Sequence, residues 1–191
     1  MAGLLALSRV IDAVTRFIGY HVRWLILAAV LVSTVNAIIR KLFDTSSNAW
    51  LETQTLLFGV AFMSAAAYVL QKNAHVRIDV VSSRLSKRSR DWIDLFGHLF
   101  MLAPLTVIMV WLSGPFFLES FLDSEASSNA GGLPVWPFKL FVFVGFALLF
   151  AQMISEAVKR AAVLSGHLEE QDHEGENVAT TLIAEMKEES K

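Results

Sequence analysis

Residues 24–39, WLILAAVLVSTVNAII, contain no Asp, Glu, Lys or Arg and are bounded by Arg23 and Arg40. Three further stretches, residues 53–71, 95–118 and 140–155, are equally free of those four residue types. A helix crossing a hydrocarbon core of roughly 30 Å needs about 20 mainly apolar residues. The first and last runs reach that length once Arg23, Arg40, Lys139 and Glu156 are allowed at their ends, where long side chains extend to the headgroups. The sequence therefore predicts an all-α, polytopic membrane protein. Its four transmembrane helices fall at about residues 22–41, 50–71, 92–113 and 135–156, within a four-helix domain over residues 22–160.

Composition agrees with a chain dissolved in lipid. Hydrophobic residues make up 54% and charged residues 18%, against about 25% charged in an average soluble domain. A net charge of −2 leaves no basic footprint for a nucleic-acid partner. There is no cysteine, which excludes disulfides, thiolate metal ligands and cysteine nucleophiles. Fourteen Phe and five Trp fit the aromatic enrichment of membrane interfaces.

The chain's flanks extend this domain. Leu4, Leu7, Val10, Ile11, Val14, Phe17 and Ile18 recur at helical spacing, with Arg9, Asp12 and Arg16 opposite them. This predicts an N-terminal amphipathic helix over residues 1–21, lying on the membrane surface, against a partner, or as a cap on the bundle. Residues 161–191 form an acidic tail expected to be solvated.

Arg and Lys placement gives the expected orientation. Arg9, Arg16 and Arg23 precede the first span, and Lys72, Arg77, Arg84, Lys87, Arg88 and Arg90 separate the second from the third. Lys159 and Arg160 follow the fourth span. Residues 119–135 carry no basic residue, and only Arg40 and Lys41 edge the first loop. The positive-inside rule then places both termini in the cytoplasm.

Asn36 and Arg40 share a face near the end of the first span, and Trp50 and Glu52 open the second on the same side. An Arg and a carboxylate at similar depth are expected to pair, because lipid penalises either charge alone. Such a pair would either lock the hairpin or dock a partner. His75, Arg77 and Asp79 follow the second span directly, an arrangement suited to interfacial anchoring against lipid or protein. A proton relay from them would have to continue into a span that offers only Tyr68 beyond Glu52. Gly97 and Pro104 in the third span predict a kink or a close helix approach. His98 is the one imidazole inside an apolar run, and His21 and His75 sit at span edges, so no second axial ligand for haem is evident. No phosphate-binding glycine loop, metal-ligand constellation or nucleophile–base pair occurs, so neither an enzyme nor a cofactor or metal is expected. Polar residues within the spans are few and no internal repeat is visible, which argues against a self-sufficient transporter.

These residues resemble a family, the small membrane subunit of tripartite ATP-independent periplasmic (TRAP) transporters, the DctQ type. The resemblance covers about residues 16–159. Asn36 and Arg40 match an Asn and Arg late in helix one, and Trp50-Leu51-Glu52 matches a Trp with acidic residues opening helix two. His75-Val76-Arg77-Ile78-Asp79 matches a His-Val-Arg-Val-Asp-like element. Gly132-Leu133-Pro134-Val135-Trp136 matches a Gly-x-Pro-x-Trp-like start to helix four. Leu51 stands where a second acid is frequent, and Val144-Gly145 where helix four often has Pro.

The resemblance implies a small accessory subunit of the bacterial inner membrane, a multi-pass scaffold that performs no transport alone. Its partners would be a large membrane subunit, a periplasmic substrate-binding protein and membrane lipids. The complex would take up organic acids such as dicarboxylates, oxo acids or sugar acids, driven by sodium. Asn36, Arg40, Trp50, Glu52, His75, Arg77, Asp79, Pro134 and Trp136 would serve structure and partner contacts. The alternative is a stand-alone four-helix transporter acting as a homodimer; such transporters usually carry an embedded Glu deep in helix one, whereas Glu52 begins helix two.

Overall fold

Backbone amides in hydrocarbon must find partners within their own segment, so the charge-free runs form helices. The computed structural model describes residues 2–45, 47–72, 87–129 and 132–165. Its helices are α1 (Ala2–Phe43), α2 (Asn48–Gln71), α3 (Lys87–Gly97), a π turn (His98–Leu102), α4 (Ala103–Leu122) and α5 (Trp136–Leu164). Four helical stretches are long and apolar enough to cross a membrane, α3 to α4 counting as one that runs Trp92–Leu122. Among the described residues there is no strand, only an isolated bridge between Ala126 and Pro134. His75, Arg77 and Asp79 lie outside the described residues, as does the acidic tail beyond Ser165.

The π turn has a local cause. Pro104 cannot donate to the carbonyl of Phe100, and its ring would crowd that group in an α-helix. The backbone widens instead, and the Ala103 N–H donates to His98 one residue further back than α-helical spacing. Gly97 contributes no close approach, since a Cβ there would meet nothing within 4 Å.

Helix α5 is the centre, in contact with each of the other helical stretches; α1 and α2 pack together on it, and α4 packs on it as well. Small residues make the close approaches. A Cβ at Gly19 would lie 2.2 Å from Tyr68 Cγ, and one at Gly145 would lie 2.8 Å from Met63 Cβ. Buried Ala29, Ala61, Ala67 and Ala162 extend that thin core. Lipid tails are as apolar as Leu, so helices in a bilayer associate by packing and hydrogen bonds, which favours small residues at their contacts.

One expectation changes here. The N-terminal segment is not a separate amphipathic helix over residues 1–21. It continues without a break into the first span as one helix of about 63 Å. Its buried face is not the apolar one: Ile11 and Ile18 are half-buried, and Arg9 and Arg16 are exposed. Leu4, Leu7, Val10, Val14 and Phe17 are exposed, whereas Ser8 and Thr15 are buried and Asp12 turns toward α5. Amphipathic spacing finds the two faces of a helix but not which of them meets the bundle. Here Ser8 and Asp12 find hydrogen-bond partners on α5, and most of the apolar stripe is left outward.

Candidate functional site: a polar anchor at each end of the bundle

At one end, Glu52 sits in the second turn of α2 and faces the segment joining α4 to α5. Its Oε1 accepts hydrogen bonds from Ser127 Oγ at 2.5 Å and Asn129 Nδ2 at 2.6 Å. Its Oε2 accepts from the Leu133 backbone N–H at 2.9 Å. The segment is itself folded. The N–H of Ser127 donates to the Leu133 carbonyl and that of Val135 to the Glu125 carbonyl, each at 2.9 Å. The Ala126–Pro134 bridge gives Pro134 its place, closing the neck of this loop. Trp136, in the first turn of α5, sets its ring edge-on to Phe121 at 5.3 Å between centroids.

Lys139 forms an ion pair with Glu125 and lies 4.0 Å over the Phe116 ring. The Lys139 hydrogen bond holds the Glu125 carboxyl below the usual carboxylate range. The loop thus has two fastenings, Glu52 from α2 and Lys139 from α5.

The expected Arg40–Glu52 ion pair does not form. Arg40 is exposed and makes no ion pair among the described residues. Glu52 has both oxygens occupied by loop donors. A donor set already aligned by a folded loop takes the carboxylate without ordering a long arginine side chain, which costs entropy. Asn36 is buried, at 7% exposure, and Trp50 is partly exposed, at 40%. The structure therefore brings together Glu52, Pro134 and Trp136 around the loop and leaves Arg40 outside that group.

At the opposite end lies a network that sequence reasoning did not single out. Asp12 Oδ1 accepts from Gln152 Nε2 at 2.8 Å and Ser155 Oγ at 2.9 Å, and Lys159 Nζ lies 3.0 Å from Oδ2. Glu156 Oε1 shares two of those donors, Gln152 Nε2 at 3.0 Å and Lys159 Nζ at 2.5 Å. Ser8 Oγ meets Ser155 Oγ at 2.7 Å, and Gln71 Nε2 donates to the Asp12 carbonyl at 2.9 Å. Arg160 adds an ion pair to Asp94 of α3 at 3.5 Å. Gln152 and Ser155 are almost wholly buried, at 0% and 1% exposure.

Charge-assisted bonds join α1 and α3 to α5, and the neutral Gln71 bond adds α2. One cation serves two carboxylates, so removing Lys159 leaves Asp12 and Glu156 without that counter-charge. The network's signal in the sequence was the spacing of Ser8, Asp12 and Thr15, and of Gln152, Ser155, Glu156 and Lys159. Each set lines one helix face.

Both anchors consume polar side chains in holding this chain's own elements together, and neither forms a nucleophile–base pair. No curated protein and no solved structure matches the chain. Residues 29–163 match the family model described as tripartite ATP-independent periplasmic transporters, DctQ component. That match covers most of a chain whose four apolar helices suit a multi-pass membrane protein, and the chain accordingly belongs to the DctQ family, the small component of TRAP transporters and not a family of enzymes.

Proposed function

We propose that this chain is the static accessory subunit of a sodium-coupled organic-acid importer of the inner membrane, with both termini cytoplasmic. It packs beside the large membrane subunit and holds that subunit's fixed part at constant depth. The loop clamped by Glu52 faces the periplasm and helps seat the substrate-binding protein, with Arg40 and Trp50 beside it. Family membership over residues 29–163 is the observation that carries this reading.

The distribution of polar groups supports it. A transport site needs ion or substrate ligands near mid-membrane, commonly on broken helices. Here the charged networks sit at the two ends and are occupied by one another. A moving transport domain needs a neighbour that does not move, and a bundle locked at both ends meets that need. His75, Arg77 and Asp79 would add anchoring on the cytoplasmic surface.

Reconstitution tests the proposal. The chain alone in proteoliposomes should take up no organic acid under a sodium gradient. Uptake should appear when the large subunit and loaded binding protein are added. Uptake by the isolated chain would overturn the accessory role and favour the homodimeric transporter.

A further inference from the structure

Threonines in the helices of this chain bond back to their own backbone, with one exception. Thr34, Thr53, Thr55 and Thr106 each donate to the carbonyl four residues earlier, at 2.7–3.0 Å. Thr15 does not. It is buried at 2% exposure, and its Oγ1 meets no hydrogen-bond partner among the described residues. A buried hydroxyl that leaves its own helix unbonded faces the packed helices instead.

Two amide oxygens share that condition. Gln71 Nε2 donates to the Asp12 carbonyl at 2.9 Å, and Gln152 Nε2 donates to Asp12 Oδ1 at 2.8 Å. Turning either amide over would set oxygen against oxygen, so these acceptors fix both orientations. Gln71 Oε1 and Gln152 Oε1 are each buried and without a partner among the described residues.

All three side chains border one stretch of α1. Gln71 and Gln152 both bond Asp12, and Thr15 lies one turn further along the same helix. Gly19, one turn beyond Thr15, packs on Tyr68, which is one turn from Gln71 on α2. Helices α2 and α5 run in the same direction, with Gly59 against Phe138 and Gly145 against Met63. Gln71 follows Met63 by about two turns, as Gln152 follows Gly145, so the two glutamines stand level.

Together these atoms present one O–H donor and two acceptors. A single water molecule accepts one hydrogen bond and donates two, the three bonds typical of an internal water. A metal cation fits less well. Hard cations take about six or more oxygen ligands, and Lys159 already brings positive charge to Asp12 and Glu156.

We propose that the junction of α1, α2 and α5 binds one structural water, held by Thr15 Oγ1, Gln71 Oε1 and Gln152 Oε1, which ties the three helices together beside the Asp12 network. The inference concerns the bundle itself and does not depend on the accessory-subunit reading.

Solid-state NMR of the full chain in bilayers tests it, through magnetisation transfer from water to side chains. Transfer should reach Thr15, Gln71 and Gln152. It should be weak at Thr106, which is buried at 0% exposure but bonds its own backbone. Thr15→Val keeps the shape and removes the donor, so transfer to Gln71 and Gln152 should fall about fivefold or more. Thr15→Ser, which keeps the hydroxyl, should retain it. Transfer to Thr15 no stronger than to Thr106, or unchanged transfer to both glutamines in Thr15→Val, would overturn the proposal. So would a rise in unfolding temperature that is specific to sodium over potassium and lost in Thr15→Val, which would assign the site to a cation.

Discussion

The two ends of the bundle use a carboxylate in opposite ways. Glu52 gathers neutral donors from a single loop, and its partners Ser127, Asn129 and Leu133 are close together in the chain. Asp12 gathers donors from Gln152, Ser155 and Lys159, on a helix far away in sequence, and shares two of them with Glu156. The first arrangement shapes a surface and the second holds helices together. A charge bonded by a preformed local loop can be removed with local consequences. A charge held between distant helices cannot, because the bonds lost with it are those that tie α1 to α5.

The sharpest way to break this contrast is Asp12→Leu. It should lower the stability of the bundle by about 2–3 kcal/mol, since the hydrogen bonds that Gln152 and Ser155 make to α1 and the Lys159 ion pair across the helices are lost together, leaving Lys159 and Gln152 with Glu156 on their own helix. Reversible unfolding in mixed micelles measures it. A loss no larger than that for an exposed residue would mean that water already compensates the network. Gly19→Val should follow, at about 1–3 kcal/mol, because its side chain must displace the Tyr68 ring from the α1–α2 contact.

Glu52→Gln should leave global unfolding unchanged and loosen only the loop. The amide NH2 would face the hydroxyl, amide and N–H donors that the carboxylate now accepts. Hydrogen exchange at Leu133 should speed up by as much as about tenfold. In the reconstituted transporter, binding-protein-dependent uptake should fall. Equal melting shifts for Glu52→Gln and Asp12→Leu would erase the distinction between the two ends.

The smallest effect is expected from pH acting on Glu125. Its carboxyl is held below the usual range by the Lys139 hydrogen bond, so the native state favours the ionised form. That contribution is present above the ordinary carboxylate pKa and is lost as pH falls through the lowered native value. Loop protection should therefore be flat from about pH 6 to 8 and decline only in acid. Lys139→Met should shrink the decline to the part that Glu52 contributes, with only a small change in stability, because Glu125 is largely open to solvent.

Much of this molecule was legible before folding was considered. The four spans follow from transfer free energy, which depends on composition along the chain, and no tertiary contact is needed to read it. The order of Asn36, Arg40, Trp50, Glu52 and Gly132–Trp136 along those spans carried the family resemblance, which the match over residues 29–163 bears out. Pro104 marked the region where the π turn forms, because a missing N–H is a property of the residue itself.

Two things depended on the tertiary structure. Glu52 was assigned to Arg40 because both lie near one end of the first hairpin, yet a loop distant in sequence supplies its donors. Loop conformation decides which donors converge, and periodicity carries no information about that. The segment over residues 1–21 read as a surface helix because in water a polar face turns outward. Packed on α5, Ser8 and Asp12 turn toward hydrogen-bond partners there and Thr15 is buried, whereas Leu7, Val10 and Phe17 face out together with Arg9 and Arg16. Sequence determined which residues share a face; the polar groups that α5 presents decided which way that face turned, because a carboxylate and hydroxyls packed between helices need partners.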